Sequence, residues 1–197
     1  MTTTIAFIGL GQMGAPMALN LLKAGFTVIG HDRASKVADQ FVGQPHFHWA
    51  ESASSAVSQA EMVVLMLPDS SIVDHLLWQG DDALSRVMKS GSLIIDMGSS
   101  DPLHTRQNAE KFADLGIGFI DAPVSGGVKR AIAGTLAIMI GGDAAWVERA
   151  YFRSSRRFSI FSTFNNSPIS RLMVISLTPN SRAISLYLNP RETRSKI

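Results

Sequence analysis

Cysteine is absent from all 197 residues. Disulfides, thiolate nucleophiles and thiolate metal sites are therefore excluded, and a reducing, cytoplasmic setting is the natural expectation. No apolar run approaches the ~18 residues of a membrane-spanning helix. The opening Met1-Thr2-Thr3-Thr4-Ile5 lacks the basic stretch of a secretory leader, and it reads as a strand entered directly. Glycine is missing from everything after Gly142, although the chain holds 16 of them.

That last gap coincides with a change of charge. Residues 151–197 carry Arg153, Arg156, Arg157, Arg171, Arg182, Arg191, Arg194 and Lys196 against one acid, Glu192. All the other acids lie before residue 150, so a formal net charge of +2 hides an acidic body and a basic, serine-rich tail. The body, residues 1–150, reads as one domain, and 151–197 as a separate, aberrant segment.

The body alternates two periodicities. Continuous apolar runs predict strands at 4–8, 26–30, 62–67, 92–96, 118–120 and 136–140, the run Met62-Val63-Val64-Leu65-Met66-Leu67 being the longest. Helical spacing predicts helices at 12–24, 35–42, 52–59, 71–77, 103–115 and 144–150. Strands separated by helices imply an α/β fold, a doubly wound and mostly parallel sheet of the Rossmann type.

Gly9-Leu10-Gly11-Gln12-Met13-Gly14 stands between the first predicted strand and the first predicted helix. A G-x-G-x-x-G in that context has a mechanical reading. Gly9 permits the tight turn, Gly11 removes a Cβ from the path of a pyrophosphate, and Gly14 lets helix and strand approach. The helix start then offers unpaired N–H groups to phosphate. At the end of the second predicted strand, Asp32 lies where a carboxylate accepts hydrogen bonds from the adenine ribose, which favours NAD. Arg33 beside it is able to pair with a 2′-phosphate, so NADP stays open.

The longer run from Phe7 to Leu21, including Ala15-Pro16-Met17-Ala18-Leu19-Asn20, closely resembles the opening signature of the β-hydroxyacid dehydrogenases. That family includes the 3-hydroxyisobutyrate dehydrogenase and tartronate semialdehyde reductase types. Three further segments match in order. Met66-Leu67-Pro68 resembles the loop lining the cofactor, which implies contacts from Leu67 and Pro68. Asp96-Met97-Gly98-Ser99-Ser100 with Pro102 resembles a second loop, placing Ser99 near the nicotinamide ribose. Asp121-Ala122-Pro123-Val124-Ser125-Gly126-Gly127 resembles the substrate motif, giving Ser125, Gly126 and Gly127 to a substrate carboxylate. A serine hydroxyl beside two glycine amides is also a reasonable anion cradle in its own right. The resemblance covers residues 1 to about 150. It implies an NAD(P)-dependent oxidoreductase of small β-hydroxyacids, a homo-oligomer at full length, with no nucleic-acid or membrane partner.

Two readings compete with an enzyme of that type: a dinucleotide-binding module without turnover, and a 6-phosphogluconate dehydrogenase-like enzyme. The family's catalytic lysine belongs to a G-x-G-x-x-x-K-x-x-x-N segment that has no counterpart here. Lys129 does not match it by position, and Lys196 is the tail's single lysine. No catalytic residue is assigned, and poor activity is expected of this chain. The resemblance stops near Ala150, where the family continues into an all-α domain. The tail is expected to be a truncated or out-of-frame product. A basic arm, with Arg156-Arg157 flanked by Phe152 and Phe158, is the alternative. His46 and His48 lack a neighbouring ligand to complete a metal site and are assigned to the surface. Trp78 and Trp146 read as helix packing residues, and Asp81-Asp82 as a solvated helix start.

Overall fold

A computed structural model of the protein describes residues 3–154, and the expectations for 155–197 lie outside the described residues. Four parallel strands form its centre: β1 (Thr4–Ile8), β4 (Met62–Leu65), β5 (Leu93–Asp96) and β6 (Gly118–Asp121). On the other side of β1 lie β2 (Thr27–His31) and the edge strand β3 (Phe47–Trp49). A short antiparallel strand, β9 (Gly141–Gly142), closes the far edge, so the order is β3-β2-β1-β4-β5-β6-β9.

Side-chain alternation splits the core in two. Ile5, Phe7, Met62 and Val64 face one layer, whereas Ala6, Ile8, Val63 and Leu65 face the other. Both faces are covered, which is why these strands read as unbroken apolar runs. The first layer includes α1 (Gly14–Lys23), α6 (Gly127–Ala133) and α7 (Ala144–Ser154), and the second includes α2 (Ala53–Ser58), α3 (Ser70–Trp78), α4 (Leu84–Val87) and α5 (Pro102–Asp114). Pro16 sits in the first turn of α1, where its missing N–H costs no helical bond.

Two expectations change. Residues 35–42 form a 3₁₀ helix, Ser35–Phe41, that buries only Phe41, too little for a stable α-helical face. The run 136–140 is not a further member of the main sheet. Its strand β8 (Ala137–Ile138) pairs antiparallel with β7 (Val124–Ser125) in a separate ribbon. Gly134, left-handed at φ 67°, ends α6 and turns the chain back toward β7. His46 and His48 are both exposed, as expected of surface residues, with His48 inside β3 and His46 immediately before it. Trp78 and Trp146 do lie on packed helices, and the missing Cβ of Gly118 leaves room for the Trp146 ring.

Candidate functional site

β1 lies between β2 and β4, so the chain runs outward in opposite directions from this point. In an open α/β sheet that reversal leaves a crevice at the carboxyl ends of the strands. A cleft of about 800 Å³ occupies it, lined by Ile8, Gly9, Gly11, His31, Asp32 and Arg33 on one side and by Ala53, Met66, Leu67 and Pro68 near the floor. Its remaining wall is α3, through Ser71, Ile72, His75 and Leu76.

The three loop glycines occupy different environments. Gly9 has φ 93°, and a Cβ there would overlap the Met66 carbonyl oxygen. A Cβ on Gly14 would overlap the Gly9 carbonyl oxygen. Among the described residues nothing lies within 4 Å of a Cβ built on Gly11, so space is left above the start of α1. Among the described residues, the amides of Gly11, Gln12 and Met13 make no backbone hydrogen bond. Gly11 and Gln12 are exposed, and Met13 is half-buried. Leu10 differs from its neighbours. Its side chain is wholly buried, and its amide donates to Asp32 Oδ2 at 2.7 Å.

Asp32 thereby fastens the loop to the end of β2, and its other oxygen accepts from the Ala34 amide at 2.8 Å. Two lone-pair positions remain on such a carboxylate. Arg33 is exposed on the same rim. His31, whose Nδ1 donates to the Ala50 carbonyl oxygen at 2.9 Å, completes that side.

Ser99 and Ser125–Gly127 do not line this cleft. They follow the carboxyl ends of β5 and β6, on the same edge of the sheet, and are exposed. Asp96 and Asp121 end those two strands in register. Asp96 is buried and accepts from the Gly98 amide at 3.0 Å and from Ser100 Oγ at 2.6 Å. Burial raises its pKa, and those two bonds oppose the rise. Asp121 has no such bonds among the described residues. Burial first, and the Asp96 carboxyl second, push it up to about 6. Gly126, at φ 135°, begins the turn into α6. α6 is held to α1 by Asn20 Nδ2, which donates to the Ala131 carbonyl oxygen at 2.7 Å. Lys129 is exposed on α6.

The α3 wall was not foreseen. Its helix-start signal is plain: Asp69 accepts from the Ile72 amide at 3.0 Å and from Ser71 Oγ at 2.6 Å. Those donors hold the Asp69 carboxyl below its ordinary value. Val73 and Leu77 face the core, but no feature of the sequence marked Ser71, Ile72, His75 and Leu76 as the side facing a cleft. No group of three or more His, Asp or Glu able to hold a metal occurs among the described residues.

A doubly wound sheet with a glycine loop, an acid at the end of β2 and a cleft at the strand reversal defines a dinucleotide-binding domain. Residues 4–152 match the NAD binding domain of 6-phosphogluconate dehydrogenase. The chain belongs to that family of NAD-binding domains, on its β-hydroxyacid dehydrogenase branch. It is 44% identical over 148 residues to 3-hydroxyisobutyrate dehydrogenase of Pseudomonas aeruginosa, covering 75% of this chain and 49% of that protein. NAD-dependent L-serine dehydrogenase of the same organism is 42% identical over 146 residues, covering 74% and 48%. The solved structure of Mycobacterium tuberculosis 3-hydroxyisobutyrate dehydrogenase with L-serine superposes with a TM-score of 0.69 at 39% identity, over 78% of this chain and 51% of that one. The chain thus spans about half the length of the curated relatives it matches.

Proposed function

We propose that this chain is the cofactor-binding half of an NAD-linked dehydrogenase of small β-hydroxyacids, and that the cleft between β2, β4 and α3 holds the dinucleotide. The observation that carries this reading is the contrast between Gly9 and Gly14, packed against backbone, and Gly11, with open space above it. Packing alone accounts for the first two. A ligand's approach accounts for glycine at position 11.

In this reading the free amides of Gly11, Gln12 and Met13, with the start of α1, hold the pyrophosphate. Asp32 accepts from the adenine ribose, Arg33 borders it, and Leu67 and Pro68 pack on the cofactor. Leu10 contributes by shape, filling the core beneath the loop. Ser99 serves the nicotinamide end, and Ser125, Gly126 and Gly127 take the substrate carboxylate. Bound NAD supplies the hydride acceptor; the residues of this domain bind, orient and exclude water. No proton-transfer residue is assigned to it.

The test is a fluorescence titration of the chain with NADH and NADPH. Asp32→Ala should weaken NADH by about tenfold and NADPH by clearly less, because the carboxylate repels a 2′-phosphate. Equal losses for the two cofactors would remove Asp32 from the ribose.

A further inference from the structure

Away from the cleft, α3 is fastened to α5 by a polar network. Asp74, in the middle of α3, accepts from His104 Nδ1 on one oxygen and from Asn108 Nδ2 at 2.7 Å on the other. Asn108 is buried, and its own oxygen accepts from Trp78 Nε1 at 2.7 Å. The Trp78 ring packs on Phe112, with centroids 4.5 Å apart. A second tie joins the helix starts, where the Asp101 amide donates to Ser70 Oγ at 2.7 Å. Asp74 and His75 are adjacent in α3, so one residue meets α5 while the next lines the cleft.

With both Asp74 oxygens and the Asn108 amide engaged, the network favours one arrangement of the helices that carry it. Apolar packing between α3 and α5 would hold the helices together without specifying their register; fixing register is the better-attested use of such polar groups. We propose that His104 is a positioning residue: through Asp74 it sets the seat of α3, and with it the wall formed by Ser71, Ile72, His75 and Leu76. The consequence for cofactor affinity rests on the reading above, that the cleft holds the dinucleotide.

The charge on His104 is part of the tie. Its hydrogen bond to Asp74 and the Asp74 charge raise its pKa, burial opposes them, and Asp101 adds a smaller rise. Among the described residues these two carboxylates, one from α3 and one from the start of α5, are the charged groups that shift it. Raising the pH through the titration of His104 removes the cation and loosens the pair, so the seat of α3 is firmest on the acid side.

Two measurements on the full chain test this. The first needs no cofactor: the Trp78 indole N–H resonance, assigned with Trp78→Phe, is followed against pH. It should titrate with His104 in the wild type and stay flat in His104→Gln. The second is NADH affinity against pH. The wild type should weaken about three- to tenfold as His104 loses its proton, beyond any change that His104→Gln also shows. His104→Gln should show only that residual change and lie near the wild type's high-pH affinity. An indole resonance that ignores pH in the wild type, or titrates identically in His104→Gln, would overturn the proposal. So would superimposable NADH profiles. A chain that binds no NADH at all would defeat the cofactor reading instead, and the indole titration would still decide whether the pair seats α3.

Discussion

Replacing Asp121 by asparagine should stabilise the fold at neutral pH and leave it unchanged in acid. Asp121 ends β6 beside Asp96 and has no hydrogen bond to hold its charge among the described residues, and its carboxyl is pushed up from 3.8 to about 6. A carboxyl raised on folding favours the folded state only while it is protonated. Stability is fully present below about 3.8 and is lost as the pH climbs through about 6. At about 1.4 kcal/mol per pH unit, the interval corresponds to about 3 kcal/mol. Asp121 is roughly half in contact with solvent, which screens the penalty, so about 1–2 kcal/mol is the expected gain. Asparagine keeps the shape and removes the charge. Urea unfolding followed by far-UV circular dichroism should place Asp121→Asn above the wild type at pH 7.5, with the two curves converging near pH 3.5. Equal midpoints at pH 7.5, or a wild-type advantage there, would refute the reasoning.

Gly14→Ala puts a Cβ into the Gly9 carbonyl oxygen and should destabilise the domain by about 1–3 kcal/mol in the same denaturation assay. Ser100→Ala removes a donor from buried Asp96 and should cost about 1–3 kcal/mol, whereas exposed Ser99→Ala should stay within about 0.5 kcal/mol of the wild type. Paired unfolding curves for the two serine variants check this directly. Asn20→Ala removes the side-chain tie between α1 and α6 and should cost about 1 kcal/mol, read from the shift in urea midpoint.

The parallel sheet was legible because its strands are buried on both faces, so Met62–Leu65 announces itself by composition alone. The glycine loop was legible because it falls between a strand and a helix. The strand Gly141–Gly142 was not, since two glycines carry no strand preference and only pairing with β6 defines them. Edge strand β3 hid for a related reason: His48 is exposed, and Phe47 and Trp49 beside it are only half-buried. Site residues divide in the same way. The motif placed Gly9, Gly11, Asp32, Arg33, Leu67 and Pro68 around one cleft, but it could not tell that Leu10 belongs to the core. Nor could it show Ser100, rather than Ser99, on the Asp96 carboxylate. His75 and the Asp74–His104 pair depend on how α3 sits against α5, a contact between residues 30 apart that no local pattern encodes.

Whether the cleft binds NAD(H) through its glycine loop is most directly tested by calorimetric titration of NADH into the wild type and Gly11→Val. The open space at Gly11 predicts that the variant keeps the wild-type circular dichroism spectrum and unfolding midpoint, while the wild type binds NADH saturably and the variant loses at least tenfold in affinity. Wild-type chain that takes up no NADH, or a folded Gly11→Val that binds it equally well, would contradict the account.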